Sequence, residues 1–289
     1  MKILAALLLA LSLLTPAMAQ ISVQLQPVRT QYITHEPVNV IVTITNRSGR
    51  ELFFRSHTKG ALAVSWLDFK VNDGRGKAMQ RLSNAVFRAA SLPPGKSISR
   101  SVNLNQIYGL TSSGNYSVSA IIRQGESVDR LSTYQSNTDR FSITDGRVLF
   151  RQPFGVPNSP HPKREYKVLS YNDGDSTSVY VSVLDSQRGT SISTFRLSQA
   201  LLFRAPQATL DSSNRLHVLY LANPAIYVHA TISPDGETLD TKYYKRSETN
   251  LPALMAFSDG SIQTRGGIPY DPAEEQKARE AARKITDRP

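Results

Sequence analysis

The chain has 289 residues, of which 40% are hydrophobic and 20% are charged, and it contains no cysteine. This composition is typical of a globular protein and excludes a disordered, collagen-like or polytopic membrane chain. Without cysteine, the chain cannot hold disulfide frameworks, cysteine-ligated zinc, iron–sulfur clusters or thiol nucleophiles. At about 100–200 residues per domain, the length predicts two domains.

The first nineteen residues have the pattern of an export signal. Lys2 precedes an apolar run from Ile3 to Leu14, and Ala17-Met18-Ala19 has the form of a signal-peptidase site before Gln20. A run of about twelve apolar residues is too short to span ~30 Å of hydrocarbon, and no later run approaches about 18 residues. The alternative is a buried N-terminal helix. We expect an exported mature chain without a transmembrane segment, in the periplasm or outside the cell.

The positive charge is concentrated in the first half of the chain. The formal net charge is +11, and residues 20–146 hold 15 Lys and Arg against 8 Asp and Glu, a charge of +7. Since nucleic acid is not the usual counter-charge outside the cytoplasm, we expect no nucleic-acid partner. Acidic polysaccharide matches such a surface, and a basic surface that only keeps the protein in solution is the alternative.

Hydrophobic alternation predicts strands over most of the chain. In Val38–Thr45 the even positions are β-branched and apolar, and 116–123 and 66–71 alternate in the same way. Short strands at regular spacing, with no long helical period, predict an all-β fold of sandwiches or barrels. Five Asp-Gly pairs predict tight turns, because glycine tolerates positive φ. They are Asp73-Gly74, Asp145-Gly146, Asp173-Gly174, Asp235-Gly236 and Asp259-Gly260.

A domain boundary is predicted at 146/147. Four prolines lie between positions 153 and 162, a density that excludes a central strand and favours a linker or an edge segment. In the alternative, Phe141–Thr144 and Arg147–Phe150 form one hairpin. The predicted domains are 20–146 and 147–270, followed by a helical or flexible tail at 271–289.

Residues 20–146 carry the motifs of a known sandwich family. After an early strand that is apolar at Ile21, Val23 and Leu25, they are Glu36-Pro37-Val38-Asn39-Val40, Thr45-Asn46-Arg47-Ser48-Gly49, Leu92-Pro93-Pro94-Gly95-Lys96-Ser97, and Tyr108-Gly109-Leu110 followed by Gly114 and Tyr116. This half resembles the immunoglobulin-like β-sandwich domains of secreted bacterial proteins. It is similar to the intracellular proteinase-inhibitor family of bacilli and to the N-terminal sandwich of deuterolysin-type metallopeptidases.

The resemblance implies an accessory or interaction module without an active site. Its matched residues have structural roles: Asn46 and Ser48 turn a strand, Gly95 supplies a positive φ, and Tyr116 packs under the sandwich while its hydroxyl bonds backbone, as in a tyrosine corner. A metallopeptidase activity would need an H-E-x-x-H helix, which the sequence lacks.

Residues 147–270 predict a second antiparallel β domain. Strand-like segments cover 177–184, 215–221, 225–232 and 238–245, and this domain holds eight of the twelve tyrosines. Ile232–Thr238 is similar to a degenerate Asp-box turn, and 210–218 resembles the opening of a propeller blade. Because blades take ~40–50 residues and at least four must close, 124 residues exclude a closed propeller. A second sandwich and an open set of blade-like meanders both remain.

Searchable catalytic and cofactor motifs are missing, so no catalytic residue and no cofactor is predicted. The chain contains no G-x-S-x-G, P-loop, G-x-G-x-x-G or H-E-x-x-H and only five histidines. Asn172–Ser176 is predicted as a hairpin turn, since a calcium loop would need a distal glutamate. Turn chemistry explains most of the aspartates that would supply the paired carboxylates of a glycosidase. They are Asp173, Asp175, Asp211, Asp235, Asp240 and Asp259.

One cluster is predicted to bind a ligand. Tyr227, His229 and Thr231 share one strand face, and pairing through the turn at 222–224 would place His217 opposite His229. Two imidazoles ~5 Å apart can bind a metal ion or donate to a ligand. Because no third metal ligand is visible, the prediction is a ligand site at His217, Tyr227 and His229 without a metal. Surface histidines on a hairpin are the alternative.

The tail predicts a short helix with little apolar surface. Asp271 is placed as the N-cap, Pro272 as the first helical residue and Glu274 as the acid of a capping box, with the helix continuing to about Lys284.

Together these features predict an exported, non-enzymatic binding or accessory protein that contacts protein or acidic glycan. Aromatic faces of the tyrosine-rich second domain can stack on sugar rings or anchor a protein partner. The alternative is a glycan-active hydrolase or lyase with carboxylates in the second domain. A deep cleft with two carboxylates of shifted pKa would favour the enzyme, and a flat aromatic face would favour the binder.

Overall fold

The computed structural model describes residues 20–59, 62–247, 250–277 and 280. Antiparallel strands make up most of these residues, so the all-β prediction is confirmed. The contacts divide the chain into two units. The first holds the described residues up to Tyr32 together with Val38–Ile143, and the second holds Ile33–Pro37 together with the described residues from Thr144 onward. The predicted export signal lies outside the described residues.

The first unit contains twelve of the described strands and two short 3-10 helices, Leu104–Gln106 and Val128–Arg130. The strands are β1 (Ile21–Pro27), β2 (Gln31–Ile33), β3 (Asn39–Asn46), β4 (Leu52–Phe54), β5 (His57–Lys59), β6 (Leu62–Val64), β7 (Leu67–Asp73), β8 (Ala90–Leu92), β9 (Ser97–Asn103), β10 (Gly114–Gly125), β11 (Leu131–Gln135) and β12 (Asp139–Thr144).

Two sheets of the first unit enclose one hydrophobic core. One sheet has the order β1-β3-β9, and the other has the order β11-β10-β12-β2, with β7 also paired to β10. Two-stranded ribbons, β4-β8 and β5-β6, complete the unit. The predicted alternation is confirmed, because the even positions of β3 and the even apolar positions of β10 are buried. Trp66 lies in the same core and is 1% exposed.

Local motifs of the first unit adopt the predicted geometry. The Tyr116 hydroxyl donates to the Ser112 carbonyl over 2.7 Å, as a tyrosine corner does. The Asn46 side chain is buried, donates to the carbonyls of Arg50 and Leu92, and accepts from the Ser48 amide. Gly95 has a φ of +70°, which only glycine adopts without strain. The hydrogen bonds of Asn46, Ser48 and Tyr116 close loops between strands, so these residues have structural roles.

The second unit contains eleven strands among its described residues. They are β13 (Arg147–Gly155), β14 (Lys163–Asn172), β15 (Thr177–Asp185), β16 (Thr190–Gln199), β17 (Gln207–Leu210), β18 (Leu216–Asn223), β19 (Ile226–Ile232), β20 (Thr238–Lys245), β21 (Ala253–Ala256), β22 (Ile262–Arg265) and β23 (Ile268–Tyr270). The four segments predicted as strands correspond to β15, β18, β19 and β20.

These strands form successive antiparallel meanders. The first sheet has the order β13-β14-β15-β16, the second has the order β17-β18-β19-β20-β23, and β21-β22 is a separate hairpin. One face of the first sheet and one face of the second share a core that includes Tyr166, Val181, Val218 and Val228. Over the described residues of this unit, the meanders of four and five strands form open sheets and not a closed barrel, and they have the antiparallel connectivity of the blade-like alternative.

The proline-rich segment forms an edge strand and the turn that follows it. Pro153 lies in β13, at the edge of its sheet, where its missing amide hydrogen removes no central ladder bond. The alternative hairpin across Asp145-Gly146 is wrong, because β12 pairs with β10 and β13 pairs with β14. Residues 145 and 146 therefore connect two sheets instead of closing one ladder.

The predicted turns are present between strands. Gly146, Gly174, Gly236 and Gly260 have φ between +68° and +99°. In the turn after β7 the positive φ belongs to Gly76 and not to Gly74. In the turn at 172–176, the Asp173 carboxylate accepts from the amides of Asp175 and Ser176, so this segment is the hairpin turn that the sequence predicts.

A short helix follows β23. It covers residues 272–277 and residue 280, and the Asp271 side chain accepts from the Ala273 amide, which confirms the predicted N-cap. The predicted end near Lys284 lies outside the described residues. Within the part of the chain that the structure describes, no helix has the length and hydropathy needed to cross a bilayer.

Candidate functional site

The two predicted histidines meet, but not by the predicted register. His217 on β18 pairs with Thr231 on β19, and His229 pairs with Leu219. The turn residues are Pro224 and Ala225, whereas the predicted turn began two residues earlier, at 222. The Asn223 side chain closes the turn by accepting from the amides of Ala225 and Ile226. A bulge between Leu221 and Asn223 adds to the shift. The prediction that His217 faces His229 is therefore wrong, and the rings meet as diagonal neighbours.

The histidines belong to a hydrogen-bonded chain of four side chains, Asp211, His217, His229 and Thr264, which we call the histidine chain. Asp211 Oδ2 lies 3.3 Å from His217 Nε2, and His217 Nδ1 lies 2.9 Å from His229 Nε2. His229 Nδ1 lies 2.9 Å from Thr264 Oγ1. The ring centroids are 5.1 Å apart. Each ring nitrogen thus has a partner.

One proton arrangement satisfies every link of the histidine chain. The Asp211 carboxylate only accepts, so His217 Nε2 carries a hydrogen and its Nδ1 accepts. His229 then donates from Nε2 and accepts at Nδ1 from the Thr264 hydroxyl. Both rings are neutral in this arrangement. The chain therefore runs in one direction, from the Thr264 hydroxyl to the carboxylate.

Burial and neighbouring charges keep the chain in these protonation states. Burial lowers the pKa of His229 to about 4, with His217 and Lys242 adding to the shift. Burial also lowers the pKa of His217, although Asp211 acts in the opposite direction. Burial alone would raise the pKa of Asp211, but hydrogen bonds from the Arg215 backbone and side chain and from His217 outweigh it and lower the value. Both imidazoles are thus neutral and the carboxylate is ionised near pH 7.

The three predicted ligand-binding residues lie inside the unit. His217, Tyr227 and His229 are 5–6% exposed. Tyr227 does not join the histidine chain and packs in an apolar cluster with Leu219 and Leu221. The β21-β22 hairpin contributes Thr264 to the chain and Leu254 to the cluster. Because these side chains are covered and internally bonded, the arrangement holds the hairpin on the sheet, and surface histidines, the alternative, are not what the structure contains.

A metal-binding geometry is not formed by these residues. In the described ranges, no three side chains of histidine, aspartate or glutamate are placed to hold one metal ion. The lone pairs of His217 and His229 that would coordinate a metal accept hydrogen bonds instead. The prediction of a ligand site at these residues stays a prediction, and in the present arrangement a ligand would have to displace the β21-β22 hairpin.

An open groove lies in the first unit and was not predicted. It has a volume of about 720 Å³, which is in the range of small-ligand sites. The groove lies beside the β4-β8 ribbon and is lined by side chains from three separate segments, 50–55, 89–91 and 124–132. Three arginines, Arg50, Arg55 and Arg130, line it together with Phe53, and we call it the arginine groove.

Phe53 presents an aromatic ring to solvent in the arginine groove. The alternation of β4 buries Leu52 and Phe54 and points Phe53 outward, where it is 59% exposed. An exposed aromatic ring beside cationic groups is a common feature of binding surfaces. The ring therefore provides a flat apolar contact at the edge of a basic site.

The arginines of the groove differ in their pairing. The Arg55 guanidinium donates to the Glu126 carbonyl over 3.2 Å, which orients it along the groove. Arg50 and Arg130 have no ion-pair partner among the described residues. Glu51 also lines the groove and accepts a short hydrogen bond from Ser91. The groove can therefore offer guanidinium donors to an anionic ligand without first breaking a salt bridge.

Sequence reasoning found the charge of this unit but not the groove. The charge of +7 over 20–146 predicted an acidic partner, and the residues that line the groove are up to about 80 positions apart in the chain. Only the pairing of β4 with β8 and the position of the 3-10 helix at Val128–Arg130 bring them together. The one local signal was Phe53, an aromatic residue at an outward position of a short strand.

The available aspartates are used in structure. Asp173 and Asp259 accept backbone amides in turns, Asp235 pairs with Arg164, and Asp240 pairs with Lys242. Asp185 is 1% exposed, and its hydrogen bond from His161 lowers its pKa. A glycosidase acid needs a raised pKa. The buried carboxylates Asp185 and Asp211 are therefore shifted in the direction opposite to that of a general acid.

No protein-family model matches the chain, and no curated protein matches it either.

Proposed function

We propose that the protein is exported and acts as a binding protein that holds an acidic glycan in the arginine groove. The export signal pattern at 1–19 supports the location, and the charge of +7 over 20–146 supports the class of ligand. The proposed fold of this unit, an immunoglobulin-like sandwich, is typical of accessory modules in secreted bacterial proteins. No step of catalysis is part of the proposal.

The observation that carries the proposal is the combination of three guanidinium groups and one exposed aromatic ring in one groove. Guanidinium groups form bidentate, charge-assisted hydrogen bonds with carboxylate or sulfate groups. An aromatic ring can pack against the apolar face of a sugar. A polyuronate presents a carboxylate and an apolar ring face on each residue, whereas an acidic peptide presents carboxylates without a repeated apolar ring face. The groove chemistry therefore favours glycan over protein as the partner.

Glycan binding without turnover is the preferred form of this proposal. The predicted alternative is a hydrolase or lyase with carboxylates in the second domain, and the hydrolase would need an acid with a raised pKa. The buried carboxylates Asp185 and Asp211 have lowered pKa values and are bonded to His161 and to Arg215 and His217. They are suited to hold structure and not to protonate a leaving group.

Binding of polygalacturonate and of alginate oligosaccharides to the full mature chain tests the proposal. We expect the triple variant R50Q/R55Q/R130Q to bind about tenfold more weakly at low salt, since it removes three exposed ion pairs of about 0.2–1 kcal/mol each. Wild-type affinity should fall as salt increases, because exposed charges are screened beyond ~8 Å at physiological ionic strength. Isothermal titration calorimetry at two salt concentrations measures both effects.

A charge-matched variant separates the groove from the general positive field. R47Q/R75Q/R140Q removes the same charge from exposed positions that do not line the groove, and its affinity should change less than threefold. Equal losses in both variants would overturn a specific groove. Binding of acidic peptides with the same arginine dependence, or products released from any glycan on the same panel, would replace the proposal by a protein-binding or an enzymatic function.

A further inference from the structure

A second cleft lies in the second unit, where its four-stranded sheet meets its five-stranded sheet. It has a volume of about 430 Å³ and is lined by β16 of the four-stranded sheet and by β18, β19, β20 and β23 of the five-stranded sheet. Because β16 is an edge strand, we call this site the edge cleft.

Burial along one face of the five-stranded sheet shows where the four-stranded sheet stops covering it. Val218 on β18 and Ala230 on β19 are 0% and 2% exposed. Thr241 on β20 pairs with Ala230, so its side chain lies on the same face, yet it is exposed and lines the edge cleft. The covering sheet therefore ends at β16 and leaves the adjoining face of β20 open.

The strand β16 borders the cleft with its main chain as well as with its side chains. Four consecutive residues, 195–198, line the cleft, although successive side chains of a strand point to opposite faces. Phe195 pairs with Val181 of the core shared by the two sheets, whereas Arg196 pairs with Tyr180 of a separate cluster. The Arg196 side chain therefore lies on the outer face of the sheet, and the main chain of this residue borders the cleft.

The outer edge of β16 is open to a further strand. In the part of the chain that the structure describes, β16 pairs only with β15, and no other main-chain bond joins residues 190–198 to another segment. Every second residue of an edge strand directs its N–H and C=O away from its one neighbour. The pairing with β15 is regular from Ser193 to Arg196, between two bulges, so a short strand can pair with this stretch.

A strand added to β16 would fill the cleft and pair with the open edge at once. It would lie about 4.8 Å from β16, over the open face of β20. Its inward side chains would meet Phe195, Leu197 and Val228, so alternate positions should be apolar. Its outward side chains would lie beside Arg196, which is exposed and has no ion-pair partner among the described residues. Charge complementarity across strands favours acidic residues at those positions.

We propose that the edge cleft binds an extended segment of a partner protein, which adds to β16 as a fifth strand and alternates apolar with acidic residues. Main-chain hydrogen bonds to β16 would provide affinity, and the cleft would select the apolar side chains. A second copy of β16 fits less well, because it would bring another arginine to the same outer face. The site is separate from the arginine groove and does not depend on the function proposed for it.

The test uses the full mature chain and a labelled peptide of about six residues that alternates valine with glutamate. Fluorescence anisotropy should show at least about tenfold weaker binding for a peptide with the same residues in two blocks. Methylation of the amides along one edge of the alternating peptide should abolish binding, whereas methylation along its other edge should retain it, since only one edge faces β16.

The outward charge is tested with a peptide that carries lysine in place of glutamate. It should bind wild type about threefold more weakly than the acidic peptide, and R196Q should remove most of this difference. A difference that R196Q leaves unchanged would overturn the assigned position of the acidic residues.

Hydrogen exchange and a steric variant locate the bound peptide. Bound peptide should slow exchange in β16 by about tenfold and leave β13, the other edge of the same sheet, unchanged. T241W places an indole on the open face and should weaken binding by about tenfold. T111W, at an exposed position of the first unit, should leave the affinity within about twofold. Thermal melts confirm that both variants are folded.

The outcomes separate this site from the arginine groove. Binding that persists in R50Q/R55Q/R130Q and is lost in T241W supports the edge cleft and leaves the function proposed for the groove untouched. Binding that is lost in the groove variant and unchanged in T241W overturns this inference. It is also overturned if wild type binds no peptide, if the block peptide or both methylated peptides bind equally well, or if T241W abolishes a dimer of the chain, which would assign the edge to a second copy.

Discussion

The two faces of the β18-β19 hairpin show how one strand pair can be closed on one side and open on the other. On the first face, His217 and His229 join a chain in which each ring nitrogen has a partner, and the β21-β22 hairpin covers it. On the second face, Tyr220 shares one bond with Ser198 and lines an open cleft. Alternation along the strands places these side chains on opposite faces.

The comparison shows which buried polar groups are structural and which are available for a ligand. A buried polar group without a partner costs about 1–3 kcal/mol, so a chain whose members all have partners stabilises the fold and offers nothing to a guest. The cleft pairs its polar groups only partly and keeps apolar side chains at its surface. The histidines that stand out in the sequence thus belong to the closed face, and the tyrosines belong in part to the open one.

Removal of the carboxylate at the end of the histidine chain should have the largest effect on the closed face. Asp211 is 7% exposed and accepts from Arg215 and His217. We expect Asp211→Ala to lower the free energy of unfolding by about 2–4 kcal/mol, because it leaves the buried His217 Nε2–H and the backbone amides of Ser213 and Arg215 without their acceptor. Denaturant titration measures this loss.

A matched change on the open face provides the control for Asp211→Ala. Tyr220→Phe removes one hydroxyl that borders the cleft, and its cost should stay below about 1 kcal/mol. Equal destabilisation by the two variants would contradict the distinction between a closed and an open face.

Acid should weaken the closed face through the histidines. The pKa of His229 is lowered from 6.5 to about 4 in the folded chain, so the unfolded chain binds more protons between these two values. The contribution of neutral His229 to the free energy of unfolding is therefore complete above pH 6.5. It decreases by roughly 2–3 kcal/mol as the pH falls toward 4. Denaturant titrations from pH 7.5 to 4.5 measure the slope.

A glutamine variant tests the assignment of this slope to His229. Its side-chain amide can donate and accept as the neutral ring does but does not titrate in this range. His229→Gln should therefore flatten the profile between pH 6.5 and 4.5. An unchanged slope in a folded His229→Gln protein would assign the pH dependence to other groups.

The smallest effect is expected at the link between the hairpin and the sheet. Thr264→Val keeps the shape of the side chain but removes the hydroxyl that donates to His229 Nδ1, and it should cost about 1 kcal/mol. Hydrogen exchange should accelerate in β21 and β22 and change little in β14 and β15. Thr264→Ser keeps the hydroxyl and should retain the protection, and faster exchange spread evenly over all strands would argue against a local link.

Much of the fold follows from local patterns in the sequence. The alternation of β3 and β10 depends only on successive residues pointing to opposite faces, and it placed Val40 and Val118 correctly in the core. The Asp-Gly turns also depend on local backbone preferences, and four of the five have the positive φ at the expected glycine. The exception is the turn after β7, where the prediction assigned the positive φ to Gly74 and the structure has it at Gly76. This two-residue difference does not change the predicted strands.

The sites depend on information that is not local. The predicted register of β18 on β19 differs from the observed one by two residues, since His217 pairs with Thr231 and not with His229. A proline turn and a bulge both shift the pairing, and neither has a unique sequence signal. The two histidines meet anyway, since diagonal neighbours across strands are also within reach of long side chains. Their third and fourth partners, Asp211 and Thr264, were not foreseen as such, and Thr264 comes from a hairpin 35 residues away from His229.

The sequence alone thus determined the all-β class, the buried faces of the main strands, the turns between them and the excess of positive charge in the first half. The tertiary structure decided that His217 and His229 are enclosed and that Arg50, Arg55 and Arg130 line one groove. The physical reason is range: alternation and turn formation act between residues next to each other in the chain, whereas a cleft or a hydrogen-bonded chain exists only after distant segments have packed together.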